Sequence, residues 1–149
     1  GYARWVQLFD TEDHGVIASD YLEAARCVLE DMQPAAAIEL LNRGKARYPS
    51  DAGYILDAAW MLLSNGRPEE AGIFLEHGFT IPFPEDQQQM ALAMLVCAAE
   101  QTQRVELADQ TFAELLALNP EWGSEESVKE IDWPEELKQP LLAVGARNR

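Results

Sequence analysis

"ASDYLEAARCVLEDMQPAAAIELLNRGKARYPSD", residues 18–51, set above "AGYILDAAWMLLSNGRPEEAGIFLEHGFTIPFPE", residues 52–85, aligns without a gap at a period of 34. Ala25 falls on Ala59, Ala37 on Ala71, Leu41 on Leu75 and Gly44 on Gly78, and Pro49 matches the neighbourhood of Pro82 and Pro84. Each unit holds two helical patterns separated by a short turn, so the repeating element reads as a helical hairpin. A third unit, residues 86–122, matches in its second half. In "RVELADQTFAELLALNP" (104–120), Ala108, Phe112 and Pro120 take the places of Ala37, Leu41 and Pro49, and the first helix of this unit reads as about three residues longer. The spacing has a physical reason. Small residues stand where two helices cross closely, bulkier Leu41, Leu75 and Phe112 fill the space beside them, and proline ends the second helix because it lacks an N–H.

The surrounding pattern is helical too. Apolar spacing predicts helices over about 19–31, 34–47, 52–64, 68–79, 86–101 and 104–118, joined by short connections. Strand signals are nearly absent: Asn65-Gly66 separates two segments of helical composition, not two alternating runs. The expected fold is all-α. Its divisions are an N-terminal capping segment (1–17), three repeats (18–51, 52–85 and 86–122) and an acidic C-terminal capping segment (123–149).

This pattern resembles the tetratricopeptide repeat family, helix-turn-helix units of 34-residue period, over about 105 of the 149 residues. The resemblance is carried by Ala25 and Ala59, by the turn and following helix "NGRPEEA" (65–71), by Ala37, Ala71 and Ala108, and by Pro49 and Pro120. The chain departs from it where Tyr21 and Ile55 replace the usual early Trp, and where Gly44 and Gly78 stand in place of the commoner Ala. What the resemblance implies is a right-handed superhelical array of antiparallel hairpins. Such hairpins leave apolar faces that only a neighbour can cover, so the two ends need caps.

Candidates for the caps are present. "YARWVQLF" (2–9) can form a short helix offering Trp5, Leu8 and Phe9, and Ser19 or Asp20 is the expected N-cap of the helix that follows. At the other end, residues 121–136 hold seven Asp or Glu and one Lys, while Val128, Ile131, Trp133, Leu137, Leu141 and Leu142 suggest one or two helices lying on the last repeat. Pro134 and Pro140 are expected to break that segment.

Composition narrows the partners. A formal charge of −15 and a pI near 4.3 repel nucleic acid and anionic lipid, which need a basic footprint. The longest apolar runs, such as "AAWMLL" (58–63), are far shorter than a bilayer span, and no signal peptide opens the chain. No membrane insertion is expected, and the chain reads as soluble. It opens at Gly1 with no Met, which reads as a processed chain or a fragment, so the compartment stays open with the cytoplasm slightly favoured. Cys27 and Cys97 sit in apolar helical patterns and read as buried free thiols.

One motif suggests chemistry. "LFDTEDHGVIASDYL" (8–22) has the outline of an EF-hand loop, with Asp10, Glu12, His14 and Gly15 in place, but its twelfth position is Tyr21 and not a bidentate Glu. The expectation is no calcium at residues 10–21, the Gly and acids serving to turn and cap. His14 and His77 lie in no metal-ligand spacing, and phosphate loop, nucleophile elbow and dinucleotide fingerprint are all missing. His77 reads as structural and Glu69-Glu70, Glu125-Glu126 and Glu135-Glu136 as solvated helix starts. No cofactor and no catalysis are expected.

Function is then expected from surface. In the family that the chain resembles, the first helix of each hairpin lines a concave face that binds peptides or partner helices. Carried over by position, that implies Leu22, Arg26 and Leu29 from the first repeat, Leu56, Trp60 and Leu63 from the second, and Met90, Met94 and Cys97 from the third. The stripe is apolar, suits an apolar or amphipathic segment with Trp60 as its anchor, and lacks the Lys and Arg cluster that clamps a terminal carboxylate. The alternative is a core covered by the protein's own C-terminal segment. The resulting expectation is a non-catalytic adaptor or scaffold for another polypeptide. A secretion-type chaperone of an apolar client, or a structural piece of a larger solenoid, are the alternatives, with self-association open.

Overall fold

A computed structural model describes residues 17–78 and 83–148 of the chain. Among the described residues there are eight α-helices, one 3-10 turn and no strand. In chain order they are α1 (Ala18–Glu30), α2 (Pro34–Arg47), α3 (Ala52–Ser64), α4 (Pro68–Gly78), α5 (Glu85–Gln101), α6 (Val105–Leu118), the 3-10 turn Pro120–Gly123, α7 (Glu125–Lys129) and α8 (Glu135–Arg147). The all-α reading holds, and each of the six helices read from the sequence ends within one residue of its expected limit. The N-terminal cap at 2–9, His14 and most of the loop at 10–21 lie outside the described residues, as do the side chains of His77 and Gly78.

Each helix buries one stripe. In α1 the buried residues are Tyr21, Ala24, Ala25 and Val28, and in α2 they are Ala37, Leu40, Leu41 and Gly44, both at the i, i+3, i+4, i+7 spacing of a single helical face. Proline at the first position of α2 and α4 loses no bond there, because that N–H has no intrahelical partner in any case. The start of α1 differs from expectation. Its N-cap is Ile17, not Ser19 or Asp20, and Asp20 caps from inside the first turn by accepting the Ile17 N–H at 2.9 Å.

The turn inside each hairpin is built three times over. Met32, Gly66 and Gln103 take left-handed φ values of 60°, 73° and 62°, spaced 34 and then 37 residues apart. The next N–H reaches back five residues in every case: Gln33 to the Val28 carbonyl at 3.1 Å, Arg67 to Leu62 at 2.8 Å and Arg104 to Ala99 at 2.8 Å. That bond closes each first helix and reverses the chain. The wider third interval is taken up within α5, which has 17 residues against 13 in α1 and in α3.

Small residues set the crossings. Ala25, Ala59, Ala37, Ala71 and Ala108 are all fully buried, and Leu41, Leu75 and Phe112 pack beside them. Gly44 replaces alanine because Tyr54 of the following hairpin occupies the space: a Cβ there would lie 2.1 Å from the Tyr54 hydroxyl and 2.5 Å from its ring. The hydroxyl donates to the Leu41 carbonyl at 2.5 Å, an acceptor already within α2. Burial holds the Tyr54 phenol well above its ordinary pKa, so it stays a neutral donor.

The first helices form a row. α1 packs on α3, α3 on α5 and α5 on α8, while α1–α2, α3–α4 and α5–α6 pair as hairpins and α4 also lies along α5. Surrounded by α3, α4, α6 and α8, helix α5 buries every residue from Ala91 to Ala99, which is why its apolar pattern has no polar side over that length.

The C-terminal segment closes over the last hairpin through α8. Leu137, Leu141 and Val144 face inward, and Arg147 bridges Glu100 at 2.9 Å and Asp109 at 2.7 Å, tying the end of α8 to both α5 and α6. Lys138 is buried, but its ammonium donates to the Lys129 carbonyl at 2.6 Å, where the end of α7 presents unpaired carbonyls and negative potential. Pro134 separates α7 from α8 as expected, whereas Pro140 does not break the segment. It sits inside α8, where the only bond forgone is to the Glu136 carbonyl of an exposed residue, and the packing of Leu137 and Leu141 holds the helix together. Among the described residues no helix is long and apolar enough to cross a membrane.

Candidate functional site

Where α3 meets α5 the row of first helices opens to solvent. Leu56 and Trp60, one turn apart on α3, and Met90 and Met94, one turn apart on α5, line a cleft of about 250 Å³. Its remaining lining is Asp57 together with Asp132 and Trp133 from the connection between α7 and α8. The cleft is mostly apolar, with two exposed carboxylates on it.

Trp133 makes one wall. Its ring lies 5.2 Å from that of Trp60, centroid to centroid, at an interplanar angle of 57°, a tilted pairing that aromatic quadrupoles favour over flat stacking. A tight turn aims it: the Trp133 N–H donates to the Ile131 carbonyl at 2.8 Å. Only 8% of Trp133 remains exposed, so the pair is part of the core and part of the site together.

Met90 stands between this cleft and a second one of about 220 Å³. The second is lined by Met90, Asn119, Glu121, Trp122, Ser127, Val128 and Ile131. Gln89 fixes its wall, its side-chain oxygen accepting from Trp122 Nε1 at 3.1 Å and from Asn119 Nδ2 at 3.2 Å. Met90 itself is 37% exposed and is a flexible thioether at the junction of the two.

Of the residues proposed from the sequence, Leu56, Trp60, Met90 and Met94 are thus brought together. Leu22 and Leu29 are half-buried on α1 and Arg26 is exposed there beside Glu23, its ion-pair partner; none of the three lines either cleft. Leu63 is in the core at 4% exposure, and Cys97 faces the other way, its thiol against the Leu137 carbonyl of α8 at 3.1 Å. Burial pushes that thiol far above its ordinary pKa. Of the two expectations, a free groove and a core covered by the C-terminal segment, each describes part of the arrangement: Trp133 of that segment covers one side of Trp60, and a cleft lies beside it.

No known protein family, curated protein or solved structure matches this chain.

Asp57, Asp132, Glu121 and Trp122 are the site residues that the repeat pattern does not point to. Glu121 and Trp122 close the last repeat after its matched Pro120, and Asp132 follows that repeat, beyond the reach of any period. Asp57 lies on α3 between Leu56 and Ala58, where spacing marks it only as the polar face of a helix. Partial desolvation and, after it, the neighbouring Asp51 hold the Asp57 carboxyl above the ordinary carboxylate range.

Proposed function

We propose that this chain is a non-catalytic adaptor or scaffold of the tetratricopeptide type, a superhelical array of hairpins that holds an apolar or amphipathic polypeptide segment on the face made by its first helices. The observation that carries the reading is the cleft lined by Leu56, Trp60, Met90 and Met94 of successive first helices, in which Leu56, Trp60 and Met90 keep part of their surface exposed and Met94 forms the buried floor. The array reading is supported by the hairpin turn that recurs at Met32, Gly66 and Gln103 and by the row in which α1, α3 and α5 pack. Apolar side chains framed by two tryptophans provide buried area and shape for one or two anchoring side chains of a partner.

Capture of partners from the source organism tests this reading, using the intact chain, Met90→Glu and Trp60→Ala. Met90 is partly exposed, so its replacement keeps the fold and places a charge between the two clefts. Loss of the same partner with both variants, at unchanged helicity of the Met90 variant, is the expected result. Undiminished recovery of that partner by Met90→Glu would remove the cleft from consideration.

A further inference from the structure

We propose that the segment taken up by the paired clefts is cationic, with large apolar anchors flanked by Lys or Arg. This rests on the adaptor reading above and names the chemistry of its partner.

The clefts share an unbalanced charge. Asp57 and Asp132 stand on the first, Glu121 on the second, and no Lys or Arg lines either. None of the three carboxylates is in an ion pair among the described residues. The two lysines of the covering segment are engaged elsewhere: Lys129 pairs with Glu125 at 2.9 Å, and Lys138 is turned inward to the Lys129 carbonyl. Asp57 in addition lies close enough to Asp51 to feel its charge, a repulsion that an incoming cation offsets.

Charge also decides between occupants. A second copy of a chain with net charge −15 is repelled at long range. A bare metal ion lacks donors, since among the described residues no three side chains of ligand type converge. A peptide ammonium or guanidinium needs only one carboxylate each, and apolar side chains between them fill the two clefts on either side of Met90.

Three synthetic amphipathic peptides of equal length and identical apolar anchors, flanked by Lys, by Gln or by Glu, test this with the full chain. Affinity is read by fluorescence anisotropy at low and high salt. The Lys peptide is expected to bind on the order of ten-fold more tightly than the Gln peptide, the sum of a few partly screened pairs, and the Glu peptide least. The difference should shrink in high salt and collapse in the triple variant Asp57→Asn, Asp132→Asn, Glu121→Gln, while a control triple on Glu69, Glu106 and Glu114, exposed residues that line neither cleft, each changed to Gln, preserves it. Equal binding of Lys and Gln peptides overturns the cationic partner and leaves the apolar groove standing. If no peptide binds and tryptophan emission does not move, the groove reading falls with it. Equal weakening by the control triple means attraction to the acidic chain at large, and competition of the peptide with sedimentation-detected dimers means a second copy; either outcome overturns the proposal.

Discussion

Trp133 lies against Trp60 at a centroid distance of 5.2 Å, a contact that joins the C-terminal segment to the second hairpin. Replacing Trp133 with Ala removes a ring that is almost entirely buried, with a cost of about 2–4 kcal/mol in unfolding free energy. Trp60 then gains water, so the native-state emission should shift to the red as well. A variant that melts like the parent with unchanged emission would show that the contact does not persist in solution.

The contact of Gly44 with Tyr54 makes a second prediction. Gly44→Ala should destabilise by about 2–3 kcal/mol, because the methyl group would overlap the phenol. Adding Tyr54→Phe should not rescue it: the ring carbon that carried the hydroxyl would still lie 2.5 Å from the new Cβ. Urea midpoints of the two single variants and the double variant give the answer.

The three equivalent turns are a controlled comparison. Gly66 has nothing within 4 Å of where a Cβ would stand, so Gly66→Ala isolates the backbone cost of the left-handed conformation, about 1 kcal/mol. Gln103 carries that cost already, and Gln103→Gly should recover about 0.5 kcal/mol once the greater freedom of glycine in the unfolded chain is set against it. Thermal melting of both variants should therefore move in opposite directions.

Two carboxylates predict opposite responses to pH. Asp109 is held below its ordinary value of 3.8, chiefly by accepting from Arg147 and then from Asn148. Its contribution to stability is therefore complete above that value and is lost as pH falls through the lower folded pKa. Asp109→Asn should melt lower than the parent at neutral pH, and the two should converge in strong acid. Asp57 is raised, so its favourable contribution exists in the protonated state below 3.8 and disappears as pH rises through its folded pKa. Asp57→Asn should accordingly raise the melting temperature at pH 7, with the gain fading toward pH 3.

The two thiols should separate cleanly. Cys97 is buried and its thiolate is disfavoured by desolvation, whereas Cys27 is only half-buried. A chromogenic disulfide reagent should titrate Cys27 in the native chain and reach Cys97 only on unfolding. Rapid reaction of both thiols without denaturant would contradict the packing of α8 on α5.

Much of this architecture was readable before any coordinates. Helix limits came out to within a residue, because the Pro at the start of α2 and α4 and the left-handed turn at Gly66 are local signals. The first helix start was not read correctly: Asp20 looks like an N-cap in sequence, but a carboxylate three residues into a helix can accept the same kind of N–H from inside, as Asp20 does from Ile17. Pro140 misled for a related reason, since its local preference to end a helix is weaker than the burial of Leu137 and Leu141 on either side. In the candidate site, matched position in the resembled repeat points to the four residues that α3 and α5 contribute to the cleft; Leu22, Arg26, Leu29, Leu63 and Cys97, named on the same ground, do not line it.

The sequence by itself determined the hairpins, their period and the small residues at their crossings, because turns, caps and helical stripes act between residues a few positions apart. Tertiary structure alone decided that Trp133 settles on Trp60, 73 positions away, and that Asp132 and Asp57 come to one cleft. Those partners share no periodic relation. They meet because α8, drawn onto α5 by Leu137, Leu141 and Val144 and held by Arg147, carries the preceding connection across the face of the second hairpin.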